Sequence, residues 1–231
     1  MLICGYNKTT LLDYPGRTAC TVFTGNCNFR CVYCHNAPLV LDPSSQPAVP
    51  EEEIFSFLRK RKNILNGVCI TGGEPTLQPD LSGFIEKIRE LGYDVKLDTN
   101  GYRPGVLREL TDKGLVNMVA MDIKTDRKRY PLITQVEKTD LKKLDESIDI
   151  LIKGDTDYEF RTTVVDEYFD DEAAEDTGRW LKGAKVLYLQ EFKDGDTVIK
   201  GGLHSPGRAK MERYAGILSE YIDKVELRGV D

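Results

Sequence analysis

The sequence predicts an α/β protein built as an open, partial (βα)6 barrel of parallel strands. Three observations carry this expectation. Short runs rich in β-branched and aromatic residues alternate six times with segments of helical periodicity, the pattern of parallel pairing through helical crossovers. Six units fall short of the eight that close a complete barrel, so the sheet stays open and curved, with its mouth at the C-terminal ends of the strands. Glycines, cysteines and charged residues collect just after the strand segments, at the rim where function concentrates in such folds.

The first strand is expected over residues 18–24, running into a cysteine loop over residues 25–37. A link containing Pro43, Pro47 and Pro50 follows, and Pro50 precedes Glu51, Glu52 and Glu53, acids that suit a helix N-terminus. The helix they open carries Ile54, Phe57 and Leu58 on one face. The next units are a strand at 68–71 with a helix at 81–91, a strand at 94–98 with a helix at 104–113, and a strand at 117–122 with a helix at 141–152. Two more pair 159–165 with 171–181, and 185–190 with a helix near 208–221, and a final strand is expected at 224–227. All 231 residues fit one domain with one large core.

Hydrophobic residues make up 40% of the chain and charged residues 30%, which excludes a disordered or disulfide-scaffold protein. Apolar runs stop well short of the roughly 18 residues that a bilayer span needs, so no membrane partner is expected. The N-terminus lacks the cationic start and apolar stretch of a signal peptide, which points to a cytoplasmic location. A formal net charge of −6 with dispersed basic residues makes nucleic acid an unsuitable partner. Two basic runs, Arg59-Lys60-Arg61-Lys62 and Arg127-Lys128-Arg129, read as solvated faces or as surfaces for an acidic protein.

Six cysteines in a cytosolic chain read as metal or redox chemistry, not as a disulfide framework. Cys4, Cys20 and Cys69 lie among apolar neighbours and read as small buried hydrophobes, whereas Cys27, Cys31 and Cys34 stand together in CNFRCVYC. Thiolates select zinc or iron–sulfur clusters, and three of them leave either site one ligand short. A structural zinc would call on His35, awkwardly adjacent to Cys34, and a ferredoxin-type carrier would call on a distant cysteine. A cubane with one iron open to a substrate or cofactor fits the count best. Further along, Gly72-Gly73-Glu74-Pro75 follows the second strand, and later strands carry Asp98, Asp122, Lys124 and Arg161 at or near their ends. Strand alternation points Asp122 and Lys124 the same way. These charges read as a site or as a structural ion network.

Cys27-x3-Cys31-x2-Cys34, with Tyr33 before the last cysteine and Gly72-Gly73-Glu74-Pro75 downstream, resembles the radical S-adenosylmethionine (SAM) superfamily. Residues 8–16 (KTTLLDYPG), Cys34-His35-Asn36, residues 96–101 (KLDTNG), Met121-Asp122-Ile123-Lys124 and residues 159–163 (EFRTT) resemble the anaerobic ribonucleoside-triphosphate reductase activating proteins. Pyruvate formate-lyase activators share several of these pieces. One position departs from the pattern: family members often carry glycine just before the first cysteine, where this chain has Asn26 after Gly25.

The resemblance implies a radical SAM barrel with a [4Fe–4S] cluster on Cys27, Cys31 and Cys34, and SAM chelating the fourth iron. An electron from the reduced cluster would cleave the sulfonium C–S bond, and the 5′-deoxyadenosyl radical would take hydrogen from a glycine of a large glycyl-radical enzyme. The implied partners are that enzyme, expected to be an anaerobic ribonucleotide reductase, and an electron donor such as flavodoxin or ferredoxin. The implied SAM contacts are the backbone of Gly72 and Gly73 at the methionine end, Glu74 for the ammonium and Tyr33 against adenine. Asp98 would meet the ribose or a cation, Asp122, Lys124 and Arg161 surround the carboxylate, and Gln190 meets the adenosyl end. Some pyruvate formate-lyase activators also hold a monovalent cation between SAM and the aspartates matching Asp98 and Asp122. His35 is expected to support the cluster by hydrogen bonding, and His204, in a glycine-rich stretch, receives no role. Because the cofactor carries the chemistry, no residue is assigned as general acid or base. The alternatives are activation of another glycyl-radical enzyme such as pyruvate formate-lyase, or radical chemistry on a small molecule as in 7-carboxy-7-deazaguanine synthesis.

Overall fold

A computed structural model describes residues 1–230. The strands are β1 (Ile3–Thr10), β2 (Ala19–Thr24), β3 (Gly67–Gly72), β4 (Asp94–Thr99), β5 (Met118–Asp122), β6 (Asp157–Val164), β7 (Leu187–Glu191) and β8 (Val225–Arg228), and they form one sheet in that order. The helices are α1 (Ala37–Leu41), α2 (Glu51–Arg61), α3 (Leu81–Glu90), α4 (Pro104–Asp112), α5 (Tyr130–Thr134), α6 (Leu141–Lys153), α7 (Asp171–Trp180) and α8 (Arg208–Leu218). From β2 to β8 every pairing is parallel, and one of α2, α3, α4, α6, α7 and α8 lies in each crossover. These are the six expected βα units plus the expected final strand.

Each crossover advances one strand in the same direction, and such connections are right-handed, so the helices collect on one face of the sheet. The strand residues facing them are apolar and fully buried: Val68 and Ile70, Val95 and Leu97, Val119 and Met121, Leu187 and Leu189. Alternation then turns Cys69, Lys96, Asp98, Ala120, Asp122 and Arg161 to the opposite face, which the ion pairs among them bear out. One face is the core. The other is a polar, concave wall.

Four elements differ from the sequence expectation. β1 pairs antiparallel with β2 at the edge of the sheet, with register shifts between Ile3 and Gly5 and between Asn7 and Thr10. Gly5, Asn7 and Lys8 are poor strand formers. The strand is held by its neighbours, since Val49 N–H donates to the Ile3 carbonyl at 2.8 Å. Helices α1 and α5 span five residues each, too short to leave a periodic signal. In α2 the buried face is Ile54, Phe55 and Leu58, while Phe57 is half-buried against the Tyr6 ring at 5.5 Å.

Candidate active site

The three clustered cysteines hang from the C-terminal end of β2 in a loop that the rest of the barrel grips by its backbone. Cys34 N–H donates to the Cys31 carbonyl at 2.9 Å, making a tight turn between two of the thiols. Arg30 N–H and Val32 N–H donate to the carbonyls of Thr134 and Ile133 in α5, at 2.9 and 3.1 Å. Tyr33, almost fully buried, donates its hydroxyl to the Lys124 carbonyl at 3.1 Å, and Asn36 Nδ2 donates to the Gly72 carbonyl at 2.8 Å. The loop is thereby tied to the ends of β3 and β5.

Burial pushes the Cys31 thiol up to about 12 and the Cys27 thiol up to about 11, the latter with help from the Glu74 charge. Among the described residues no three His, Cys, Asp or Glu side chains stand together as a closed metal-ligand set. Cys27, Cys31 and Cys34 nonetheless line one cavity of about 270 Å³ and lie within electrostatic reach of one another. Three soft donors on one irregular loop, with the adjacent His35 imidazole engaged by the Lys193 carbonyl and the Glu74 carboxylate by four internal hydrogen bonds, fit an iron–sulfur cluster. A ligand loop of this kind closes on its metal by releasing protons.

The same cavity is lined by every residue that the sequence singled out: Tyr33, Gly72, Gly73, Glu74, Asp98, Asp122, Lys124, Arg161 and Gln190. Two of these groups, the glycine pair and Glu74, also brace the loops. An added Cβ on Gly72 would strike the backbone of Thr24, and one on Gly73 would strike the Asn26 carbonyl. Gly73 N–H and Glu74 N–H donate to the Thr24 and Asn26 carbonyls, each at 2.8 Å. The glycine pair thus lets β3 press against the start of the cysteine loop. Glu74 is 1% exposed, and its carboxylate accepts from Thr76 N–H, the Thr76 hydroxyl, the Thr99 hydroxyl at 2.7 Å and Asn100 N–H at 2.7 Å. It braces two loops.

Across the concave wall, side chains of β4, β5 and β6, with Lys124 just beyond β5, form a continuous row of alternating charge. Lys96 pairs with one oxygen of Asp98, and Arg161 Nη1 pairs with the other at 3.0 Å. Arg161 Nε reaches Asp122 Oδ1 at 2.8 Å, and Lys124 Nζ reaches Asp122 Oδ2 at 3.0 Å. Burial alone would raise the carboxyl pKa of Asp122. The Arg161 and then Lys124 charges more than reverse this and hold it well below the usual carboxylate range. Asp98 is likewise lowered, with burial opposed by Arg161 and Lys96. The row is an ion network and also a cavity wall, so the two readings left open by the sequence describe one object.

Two features escaped the sequence reading. Asn100 joins three motifs: its side chain donates to Asn28 Oδ1 at 2.9 Å and approaches Cys27 Sγ at 3.8 Å, while its backbone N–H serves Glu74. The segment between β7 and α8 forms a strap over the cysteine loop. Ile199 N–H donates to the Cys34 carbonyl at 3.2 Å, Lys200 N–H to the Val32 carbonyl at 2.8 Å, and His35 Nε2 to the Lys193 carbonyl at 2.6 Å. His204 anchors the strap from outside through Glu167, with Nδ1 and Oε1 2.7 Å apart. The Asn-Gly of residues 100–101 was the signal for Asn100, and nothing local marked the strap.

Residues 21–181 match the model of the Radical SAM superfamily. The chain belongs to this superfamily. It is therefore an enzyme, and radical SAM membership implies a [4Fe–4S] cluster and SAM. The chain is similar over its whole length to MJ1227 of Methanocaldococcus jannaschii, which bears the provisional name of a glycyl-radical enzyme activating enzyme: 31% identity over 239 residues, covering 100% of this chain and 97% of the relative. A GTP 3′,8-cyclase from Pyrococcus abyssi, also named only as probable, is 31% identical over 135 residues, but this covers 56% of the chain and 43% of the cyclase. In fold, the chain resembles a domain of the pyruvate-formate lyase-activating enzyme from Bacteroides vulgatus, with a TM-score of 0.58 at 18% identity over 71% of this chain and 99% of that one. No helix among the described residues is long and apolar enough to cross a membrane.

Proposed function

We propose that this radical SAM enzyme is a glycyl-radical enzyme activating enzyme, and within that class the activator of an anaerobic ribonucleoside-triphosphate reductase. The observation that carries the class is the end-to-end similarity to MJ1227, against the partial overlap with the cyclase. The finer assignment is supported by residues 8–16 (KTTLLDYPG), whereas Cys34-His35-Asn36 and Asp98-Thr99-Asn100-Gly101 support the activator class as a whole. Cys27, Cys31 and Cys34 would hold the cluster through their three thiolates. When bound, the cluster and SAM supply one-electron reductive cleavage of a sulfonium C–S bond.

The chain's own residues bind and orient. Lys124 and Arg161 present cationic groups to the SAM carboxylate while Asp122 holds both in place. Charge-assisted contacts of this kind are the strong ones. Asp98, fixed between Lys96 and Arg161, meets the ribose, and Tyr33 and Gln190 flank the adenosyl end. Gly72 and Gly73 offer backbone to the methionine end, and Glu74 keeps their loop in register, with its charge near the ammonium. Asn36, Gln190 and the strap around His204 border the mouth through which a partner segment enters, with the partner completing the seal.

The test mixes anaerobically reconstituted protein, a reductant, SAM and a candidate reductase. The expected result is 5′-deoxyadenosine together with a doublet glycyl signal in the electron paramagnetic resonance spectrum of the reductase. Ala variants of Cys27, Cys31 or Cys34 lose both cluster and activity, and Ala variants of Cys4, Cys20 or Cys69 keep the cluster. SAM cleavage coupled to a small molecule, with no radical on any glycyl-radical enzyme, would overturn the proposal.

A further inference from the structure

We propose that the outer side of the cysteine loop is a docking surface for an acidic one-electron donor protein, built from Arg30, Arg103, Lys138, Lys142 and Lys143. The proposal rests on the reductive chemistry of the preceding reading and not on which protein is activated. Arg30 is exposed between Cys27 and Cys31, and its Nη1 donates to the carbonyls of Cys27 and Phe29 at 2.6 and 2.8 Å. A surface cation therefore touches the backbone of one cluster-loop cysteine and neighbours another in sequence.

Packing draws four more cations to that place. The Phe29 ring stacks edge-on against Tyr102 at 5.1 Å, and Arg103 follows Tyr102 in sequence. Lys143 Nζ lies over the Tyr102 ring at 4.7 Å, with Lys142 beside it at the start of α6. Thr139 and Thr134 place their hydroxyls 3.3 Å apart, which brings Lys138 to the end of α5 where Arg30 is tied. All five are exposed. None makes an ion pair among the described residues, whereas Arg127, Lys128 and Arg129 on the neighbouring rim are each paired.

The nearby unpaired acids are Glu137 and Asp140, Glu146 one turn along α6 being paired with Arg108 at 3.1 Å, and Asp140 turns its carboxylate to Lys142 N–H at 3.2 Å as a helix cap. Five cations against two anions give this face a charge of +3 on a chain whose formal net charge is −6. Leu132, 54% exposed, adds an apolar contact. None of the five cations lines the cavity, so a donor seated here leaves the mouth clear for SAM and the radical acceptor.

An acidic carrier suits this face for a kinetic reason. Complementary charge steers encounter and raises on-rates by roughly 10- to 1000-fold at low salt. The donor gives up one electron and the cluster takes it, with no bond made or broken at the surface.

The experiment compares wild-type loaded enzyme with a Lys138→Glu/Lys142→Glu/Lys143→Glu variant. Anaerobic stopped-flow follows bleaching of the cluster by reduced flavodoxin, and separately by photoreduced 5-deazariboflavin, a small uncharged reductant. The expected result is a flavodoxin rate constant lowered about tenfold or more at low salt and a loss of its ionic-strength dependence, with an unchanged deazaflavin rate and unchanged iron content. An unchanged flavodoxin rate would overturn the proposal. So would slower glycyl-radical formation by variant enzyme already reduced with deazaflavin, because the face would then serve the radical acceptor. Reduction is read without any glycyl-radical enzyme present, so failure of this proposal and failure of the activase reading are separate outcomes.

Discussion

Asn26 sits at φ +68°, in the left-handed region where glycine is at ease and asparagine is among the few tolerated alternatives. The departure noted in the sequence, asparagine in place of glycine before the first cysteine, is thus a substitution between residues that share one backbone state. Asn26→Gly is expected to leave the thermal stability of the iron-free protein nearly unchanged, and Asn26→Val to lower stability by about 1–3 kcal/mol, read by thermal unfolding. Arg161 carries a second residue-scale consequence. Its guanidinium already bridges Asp98 and Asp122, the place where a monovalent cation would sit. Exchanging sodium for potassium is expected to leave SAM affinity unchanged, whereas Lys124→Met weakens it by about 1.5–3 kcal/mol, roughly ten- to hundredfold, with iron content intact. Equilibrium titration of the loaded enzyme with SAM checks both, and a cation-dependent affinity would show that Arg161 leaves the aspartates when SAM binds.

At the scale of elements, the strap between β7 and α8 holds the cysteine loop through backbone N–H groups that proline cannot supply. Ile199→Pro and Lys200→Pro each delete one such bond, a net effect of about 0.5–1.5 kcal/mol, so iron should be lost to a chelator roughly two- to tenfold faster. Far-UV circular dichroism should not change. Iron retention equal to wild type in both variants would mean that the strap does not support the loop. The strap also marks the limit of what the sequence discloses. Cys27, Cys31, Cys34 and Gly72-Gly73-Glu74-Pro75 are legible because ligand number and loop chemistry are written in short spacings. The parallel units are legible because strand and helix periods differ. The bond from His35 to Lys193 spans 158 residues, and that from Asn100 to Cys27 spans 73. No local pattern announces such pairings. Glu74 was legible as a candidate site residue, yet two of its four internal hydrogen bonds depend on Thr99 and Asn100 arriving from another strand.

For the whole molecule, the charged row across the concave wall sets the response to acid. Asp98 and Asp122 have folded-state pKa values below the ordinary carboxylate value near 3.9, so both bind a proton more weakly folded than unfolded. Their stabilising contribution is fully present above the unfolded value and is lost as pH falls from there toward the folded values. Melting temperature should therefore drop below about pH 4, and in Asp122→Asn the drop should be shallower, from a lower starting point at neutral pH. Parallel acid profiles for the two proteins would assign the loss to other carboxylates.

The strand order of the sheet, in which every strand pairs with its neighbour in sequence, also orders events in time. As the chain leaves the ribosome, each new strand finds its template already made, and only a short loop-closure entropy opposes each addition. The thiols emerge with the first parallel strand, but Lys124, Arg161 and the strap arrive much later. A nascent chain thus carries its three cysteines exposed through most of its synthesis. Metal loading is best placed after release, once Lys124, Arg161 and the strap have completed the cavity around the thiols.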